Sequence, residues 1–224
     1  MKKQILTLAS VALATGALII ASCKKDDTTP PVITLIGNAS MSLSLQGTYT
    51  EQGATAEDNE DGNLTTSITT SGTVNTNARG SYTIHYSVKD AAGNEGTADR
   101  SVAVVNDAEY LVGTYTNVRD SVWGSGSGLV YTDVITSSDT NNTIWVHKFG
   151  DYQNGLCRIM VVNTTQVSVP TQNVTCGSPA ALRTFLTPSN GTISGSPSVI
   201  QFDYQEVISS TSTSTNARAT YNRN

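Results

Sequence analysis

Apolar residues follow two patterns along the chain. From Ile5 to Ile20 they run together, broken only by small or weakly polar residues. From Pro30 onward they alternate with polar residues, and turn residues recur roughly every 8 to 12 positions. In "MSLSLQ", Met41, Leu43 and Leu45 alternate with Ser42, Ser44 and Gln46. In "YTIHYSVK", Tyr82, Ile84, Tyr86 and Val88 share one face, and Thr83, His85, Ser87 and Lys89 share the other. Val102 and Val104 alternate with small residues in "SVAVV". In "VIQFDYQEVI", Ile200, Phe202, Tyr204 and Ile208 oppose Gln201, Asp203 and Gln205. Period-two alternation predicts strands with one buried face. Outside the first 22 residues no amphipathic helix stands out. The fold class expected is therefore all-β.

The apolar run at the start predicts something else. Lys2 and Lys3 precede it, and Ala21, Ser22 and Cys23 end it. A short positive region, an apolar core and small residues are the order of a secretory signal peptide. The run falls short of the roughly 20 apolar residues that a membrane-spanning helix needs. Residues 1–22 are expected to be cleaved and 23–29, polar and proline-ended, to form a tether.

"Ile20-Ala21-Ser22-Cys23" resembles a bacterial lipobox. The resemblance implies that Cys23 carries lipid and becomes the new N-terminus. One acyl chain holds a protein weakly, and several hold it stably. "Cys23-Lys24-Lys25-Asp26-Asp27" resembles the lipoprotein export signal of Bacteroidetes. That implies a lipid-anchored protein of the outer membrane, displayed on the cell surface.

Charge narrows the partners. The chain has 13 Lys plus Arg and 18 Asp plus Glu, and losing Lys2 and Lys3 takes the net charge from −5 to about −7. A nucleic-acid partner would need clustered positive charge, and none is present. Charged residues make up 14% of the chain, against about 25% in ordinary domains. Low charge with abundant Thr, Ser, Asn and Gly suits extracellular β-domains.

Three segments from Pro30 to Asn106 resemble bacterial Ig-like domains of the pesticidal-crystal-protein type: "PPVITLIG", "GTYTEQGATAEDNEDGNLT" and "VNTNARGSYTIHYSVKDAAGNEGTADRSVAVV". The resemblance implies a β-sandwich over 30–106, used as a spacer or adhesive element and not as an enzyme. Residues 108–224 hold about eight further strand candidates, an antiparallel barrel or sandwich. Their "GTY…GTISG…ATY" layout resembles C-terminal domains of Bacteroidetes lipoproteins, some of them lipocalin-like. "VNDAEY" joins the two parts with neither Pro nor Gly, which predicts semi-rigid coupling.

No catalytic set emerges. His85 and His147 are the only histidines. His85 falls on a polar face, and His147 lies in phase with Trp145 and Phe149. "WGSGSG" from Trp123 puts Gly126 where a G-x-S-x-G elbow needs serine, so it reads as a loop. The acids are too dispersed to single out a facing carboxyl pair. The protein is expected not to be an enzyme.

For a metal, Asp58, Glu60 and Asp61 lie in one acidic turn, and Asp90 follows in "KDAAGN". If the two turns meet, Asp58, Asp61 and Asp90 could bind calcium, which favours oxygen ligands from such loops. The alternative is a solvated turn whose acids bond their own backbone. Cys157 and Cys176 form an even pair that fits either a disulfide or two buried thiols. For a ligand, the aromatic residues Trp123, Trp145, Tyr131 and Tyr152 cluster in the second half. Aromatic faces suit sugars, although Trp145 reads first as a residue packed in the core. The expectation is a non-catalytic binding or accessory module, for glycans. The alternatives are a structural or adhesin-like envelope component and, last, a hydrolase.

Overall fold

The computed structural model describes residues 26–122, 128–196 and 198–223. Strand is their main regular structure. Three 3-10 turns, Thr65–Ser67, Glu109–Leu111 and Phe149–Asp151, are the helical elements among them.

Two sheets form from residues 32–105. β1 (Val32–Leu35), β3 (Ala54–Asp58) and β4 (Gly62–Asn63) make the first. The second runs in the order β2 (Ser40–Ser44), β7 (Glu95–Val105), β6 (Gly80–Lys89), β5 (Thr69–Ser71), with β2 parallel to β7. The alternation in β6 and β7 has the expected effect. Ile84, Tyr86, Val88, Val102 and Val104 are buried, together with Leu45 and Ala56. His85 faces outward, with Nδ1 2.5 Å from Asp99.

The remaining strands close on themselves. In chain order they are β8 (Gly113–Val122), β9 (Gly128–Ser137), β10 (Thr143–Val146), β11 (Cys157–Asn163), β12 (Gln166–Ser168), β13 (Gln172–Cys176), β14 (Ala181–Leu186), β15 (Gly191–Ser194), β16 (Val199–Ile208) and β17 (Thr213–Asn222). Neighbours pair antiparallel from β8 through to β12, then β12 with β15 and β15 with β16. β17 pairs with both β16 and β8, which closes an eight-stranded barrel. Of the two architectures expected, this is the up-and-down barrel. Closure leaves no unpaired edge in the ring.

One wall is split. β17 covers one edge of β16 along its whole length. The other edge is shared, with β15 opposite Val199–Gln201 and β14 opposite Gln205–Ile208. β13 pairs with β14 as β12 pairs with β15, so each pair continues the other past a break. Pro170, which has no N–H to give a ladder, lies in the first break.

The barrel is filled by side chains. Phe149 folds in from the β10–β11 connection and is fully buried. Its ring centroid lies 4.9 Å from Phe185, 4.8 Å from Tyr204 and 5.6 Å from Phe202. Such pairs add about 0.5–1.5 kcal/mol each beyond area burial.

A polar junction joins the barrel to the two smaller sheets. Buried Asn106 donates from Nδ2 to the carbonyls of Ser138, Thr140 and Thr143. Asp107 accepts from Ser44 Oγ on one oxygen and from Asn141 Nδ2 on the other. Arg79 reaches both Glu109 and Asp139 at 3.6 Å.

Candidate functional site

Three places gather polar chemistry. The first is the end of the barrel away from that junction, here called the mouth. The β10–β11, β13–β14 and β16–β17 connections lie there. Asp120 is two residues from the end of β8, Glu206 two from the end of β16 and Arg183 two after the start of β14. The pleat turns all three inward.

Each inward acid has different partners. Glu206 pairs with Arg183 Nη1 and accepts from Tyr152 Oη at 2.9 Å. Arg183 also lies over the Tyr152 ring, 4.3 Å from its centroid. Asp133 accepts from the backbone N–H groups of Val134, His147 and Lys148 and so ends β10. Burial holds its carboxyl above the usual range, while those three bonds pull it back. Asp120 accepts from Tyr204 Oη at 2.6 Å on Oδ2. Its Oδ1 is buried with no hydrogen-bond partner among the described residues. Burial, with the charges of Glu206 and Asp151, pushes Asp120 up to about 6 against the Tyr204 bond.

The second place is a carboxylate cluster beside the two smaller sheets. One oxygen each from Asp27, Asp58 and Asp90 lies within 4.8 Å of the others. Oxygens around one calcium ion lie at most about 5 Å apart, so the spacing fits. Asp58 Oδ1 accepts from the N–H groups of Glu60 and Asp61, while its Oδ2 is buried without a partner among the described residues. Asp90 is held by Asn94, whose N–H and Nδ2 bond its two oxygens at 2.8 and 2.7 Å. Asn94 Nδ2 also donates to the Asp27 carbonyl at 3.1 Å. The two acidic turns do meet, but Asp61 is not in the cluster. Its carboxylate accepts from Ala91 N–H at 2.6 Å. Asp27 takes the third position.

The third place is the outer wall of β9–β11. Ile144 and Val146 are fully buried, so the pleat turns half-buried Trp145 outward. The core reading of Trp145 is therefore corrected, because its two neighbours take the inward face. Thr136 and Arg158 stand directly opposite it on the flanking strands. Thr136 Oγ1 lies 2.9 Å from His147 Nε2. Gln172 bonds both the N–H and the carbonyl of Arg158, at 2.8 and 2.9 Å.

The other expected residues are placed as follows. Tyr131 and Tyr152 are half-buried and pack against the barrel core. Cys157 and Cys176 are both buried inside the barrel and carry free thiols, raised by burial. Cys23 and Trp123 lie outside the described residues.

Asp120, Asp133, Arg183 and Glu206 were not singled out in the sequence. A signal was available for Glu206, which keeps phase with Ile200, Phe202 and Tyr204, and for Asp120, in phase with Val118. A charge in step with an apolar face is either a break in the strand or a buried group with work to do. Asp27 had no such signal, because its position depends on where the tether folds back.

Residues 33–104 match the bacterial surface protein Ig-like domain. The Ig-like domain so defined runs from the second residue of β1 to the last but one of β7 and contains Asp58 and Asp90. No curated protein matches the chain. Among solved structures, a lipoprotein from Bacteroides thetaiotaomicron is similar at 17% identity, covering 86% of this chain and 100% of that one, with a TM-score of 0.34. Two structures of ZmpB from Clostridium perfringens are also similar. One holds CBM51-2 in complex with GlcNAc and INT domains (16% identity, 85% of this chain and 43% of that one, TM-score 0.28). The other holds the M60 catalytic domain with CBM51-1 and CBM51-2 (18% identity, 78% and 15%, TM-score 0.29). Among the described residues no helix is long and apolar enough to cross a membrane.

Proposed function

We propose that this is a lipid-anchored protein of the bacterial outer surface, a non-catalytic module that binds glycans. The observation that carries the reading is the match of residues 33–104 to the Ig-like domain of bacterial surface proteins. The lipobox-like "IASC" supports the anchor, with Cys23 as the lipidated residue. The Trp145 wall supports the ligand class. A half-buried indole on a sheet face, flanked by Thr136, His147 and Arg158, offers an apolar plane beside hydrogen-bonding groups, as sugar rings require. Asp27, Asp58 and Asp90 hold calcium in this reading, and the ion fastens the tether to the Ig-like domain.

The test has two arms on the full chain expressed in a Bacteroidetes host. Labelled palmitate should enter the wild-type protein and not Cys23→Ser, and surface protease should degrade the wild type on intact cells. Binding to insoluble polysaccharides should fall by roughly tenfold in Trp145→Ala, the loss of one aromatic contact of about 1.4 kcal/mol. Unchanged binding would remove the glycan site from this wall. Unlabelled wild type would remove the anchor. Retention by envelope proteins with no glycan binding would favour the structural alternative.

A further inference from the structure

We propose that the barrel mouth is a second binding site, for a ligand bearing a protonated amine, with Asp120 Oδ1 as its acceptor. The site is separate from the Trp145 wall and does not depend on that reading.

Asp120 is 4% exposed, and its Oδ1 has no partner among the described residues. Burying a polar atom without a hydrogen bond is costly, and the cost is greater for a charged group. The other inward charged groups have their partners within the protein, although Tyr131 Oη and Ser137 Oγ are also buried without one among the described residues. Asp133 is bonded by three backbone N–H groups and lies 3.3 Å from Tyr221 Oη. Glu206 is taken by Arg183 and Tyr152. Among the described inward carboxylates Asp120 is the one with an oxygen left to accept, and it lies two residues from the end of β8.

The chemistry of the ligand follows from the field there. Glu206 and Asp151 both act on Asp120 with negative charge, and Arg183, the cation among these groups, is already paired. An anionic ligand would be repelled. A cation with N–H donors would supply the missing bond and offset the charge. The phenol rings of Tyr204, bonded to Asp120, and Tyr131, which senses its charge, give the cation aromatic neighbours. At neutral pH Asp120 is ionised and ready to accept. Below pH about 6 it takes up a proton, so binding should weaken on acidification.

The probe is glucosamine, with N-acetylglucosamine and glucose as neutral forms of the same ring. Carboxyl-labelled full-length protein is titrated by NMR with and without each sugar, and affinities are measured by calorimetry at pH 7.5 and pH 5. The expectation is that glucosamine binds at pH 7.5, binds at least roughly tenfold more weakly at pH 5, and moves the Asp120 midpoint downward by about one pH unit. Asp120→Asn should keep or raise its melting temperature at pH 7.5, since a buried ionised carboxyl is gone, and lose the glucosamine signal. Equal binding of the neutral sugars overturns the proposal. So does an Asp120 resonance that ignores every amine, which would mean that Oδ1 is satisfied by an ordered water only. If Asp120→Asn fails to fold, the wild-type midpoint alone decides.

Discussion

Arg100 is the largest fully buried side chain among the described residues, and it is charged. It lies on β7 in the Ig-like domain and donates to the carbonyls of Asn38, Ile36 and Gly53, at 2.7, 2.8 and 3.0 Å. Its Nε lies 3.0 Å from Glu51. Three loop carbonyls and a carboxylate are thus tied to one point in the sandwich. Removing one partner of a buried ion pair typically costs about 3–5 kcal/mol, because the other charge stays behind. Arg100→Met should lose stability in that range, measured by urea unfolding at pH 7. A loss under about 1 kcal/mol would mean that the carbonyls find water. The pH limb gives a second check. Burial raises the Glu51 carboxyl, but bonds from Tyr49, Tyr86 and Gly53 N–H, with the Arg100 charge, outweigh it and bring it to about 2, from an ordinary 4.5. A depressed acid stabilises the fold above its unfolded value, and that contribution is lost as pH falls from about 4.5 to about 2. In Arg100→Met the Glu51 carboxyl should move back up, so acid unfolding should begin at a higher pH. Asp120 has the opposite sign. Raised to about 6 from 3.8, it costs stability when ionised, so its effect is relieved as pH falls through that window.

At the scale of elements, the alternation of apolar residues carried far. β6, β7 and β16 are where the period-two pattern put them, and their inward residues are buried. The sequential antiparallel layout held open a barrel, and pairing of β17 with β8 makes it one. The pattern gave less where strands are short or broken. β12 to β15 are interrupted pieces, and Phe149 enters the core from a connection where alternation has stopped. The acids of the mouth were hidden for a related reason. Asp120, Arg183 and Glu206 lie on three strands far apart in sequence, and only closure of the ring brings them together. The acidic turns at Asp58 and Asp90 were legible because local turn chemistry placed both. Gly191 tests the broken wall. A Cβ there would lie 2.4 Å from the Gln201 carbonyl oxygen and 2.5 Å from Phe202 Cβ, so β15 can approach β16 only without a side chain. Gly191→Ala should cost about 1–3 kcal/mol. Thermal unfolding should show it, with amide exchange rising first in β15 and β16. An unchanged melting temperature would mean that the wall shifts freely.

At the scale of the whole molecule, a lipid anchor at Cys23, as proposed above, would hold the two domains to a membrane through the tether. The junction at Asn106, Asp107 and Asn141 fastens the barrel to the Ig-like domain through buried and short polar bonds. Asp27 lies four residues after Cys23, a span of at most about 14 Å of extended chain. Its carbonyl is already bonded by Asn94, and its carboxylate joins Asp58 and Asp90. Calcium bound there would neutralise three converging carboxylates and fasten Asp27 to the Ig-like domain. Extracellular calcium modules bind with dissociation constants of about 0.1–1 mM. A few millimolar calcium should therefore raise the melting temperature of the full chain, and a chelator should reverse it. An ion present at ten times its dissociation constant stabilises by about 1.4 kcal/mol. Asp58→Asn should abolish the response while leaving the calcium-free melting temperature equal or higher, since one repelling charge is gone. Spin labels on the tether should lose mobility only when calcium is added and Asp27 is intact. A melting temperature that ignores calcium up to 10 mM would leave the acids as a solvated turn. The tether would then be held by Asn94 alone.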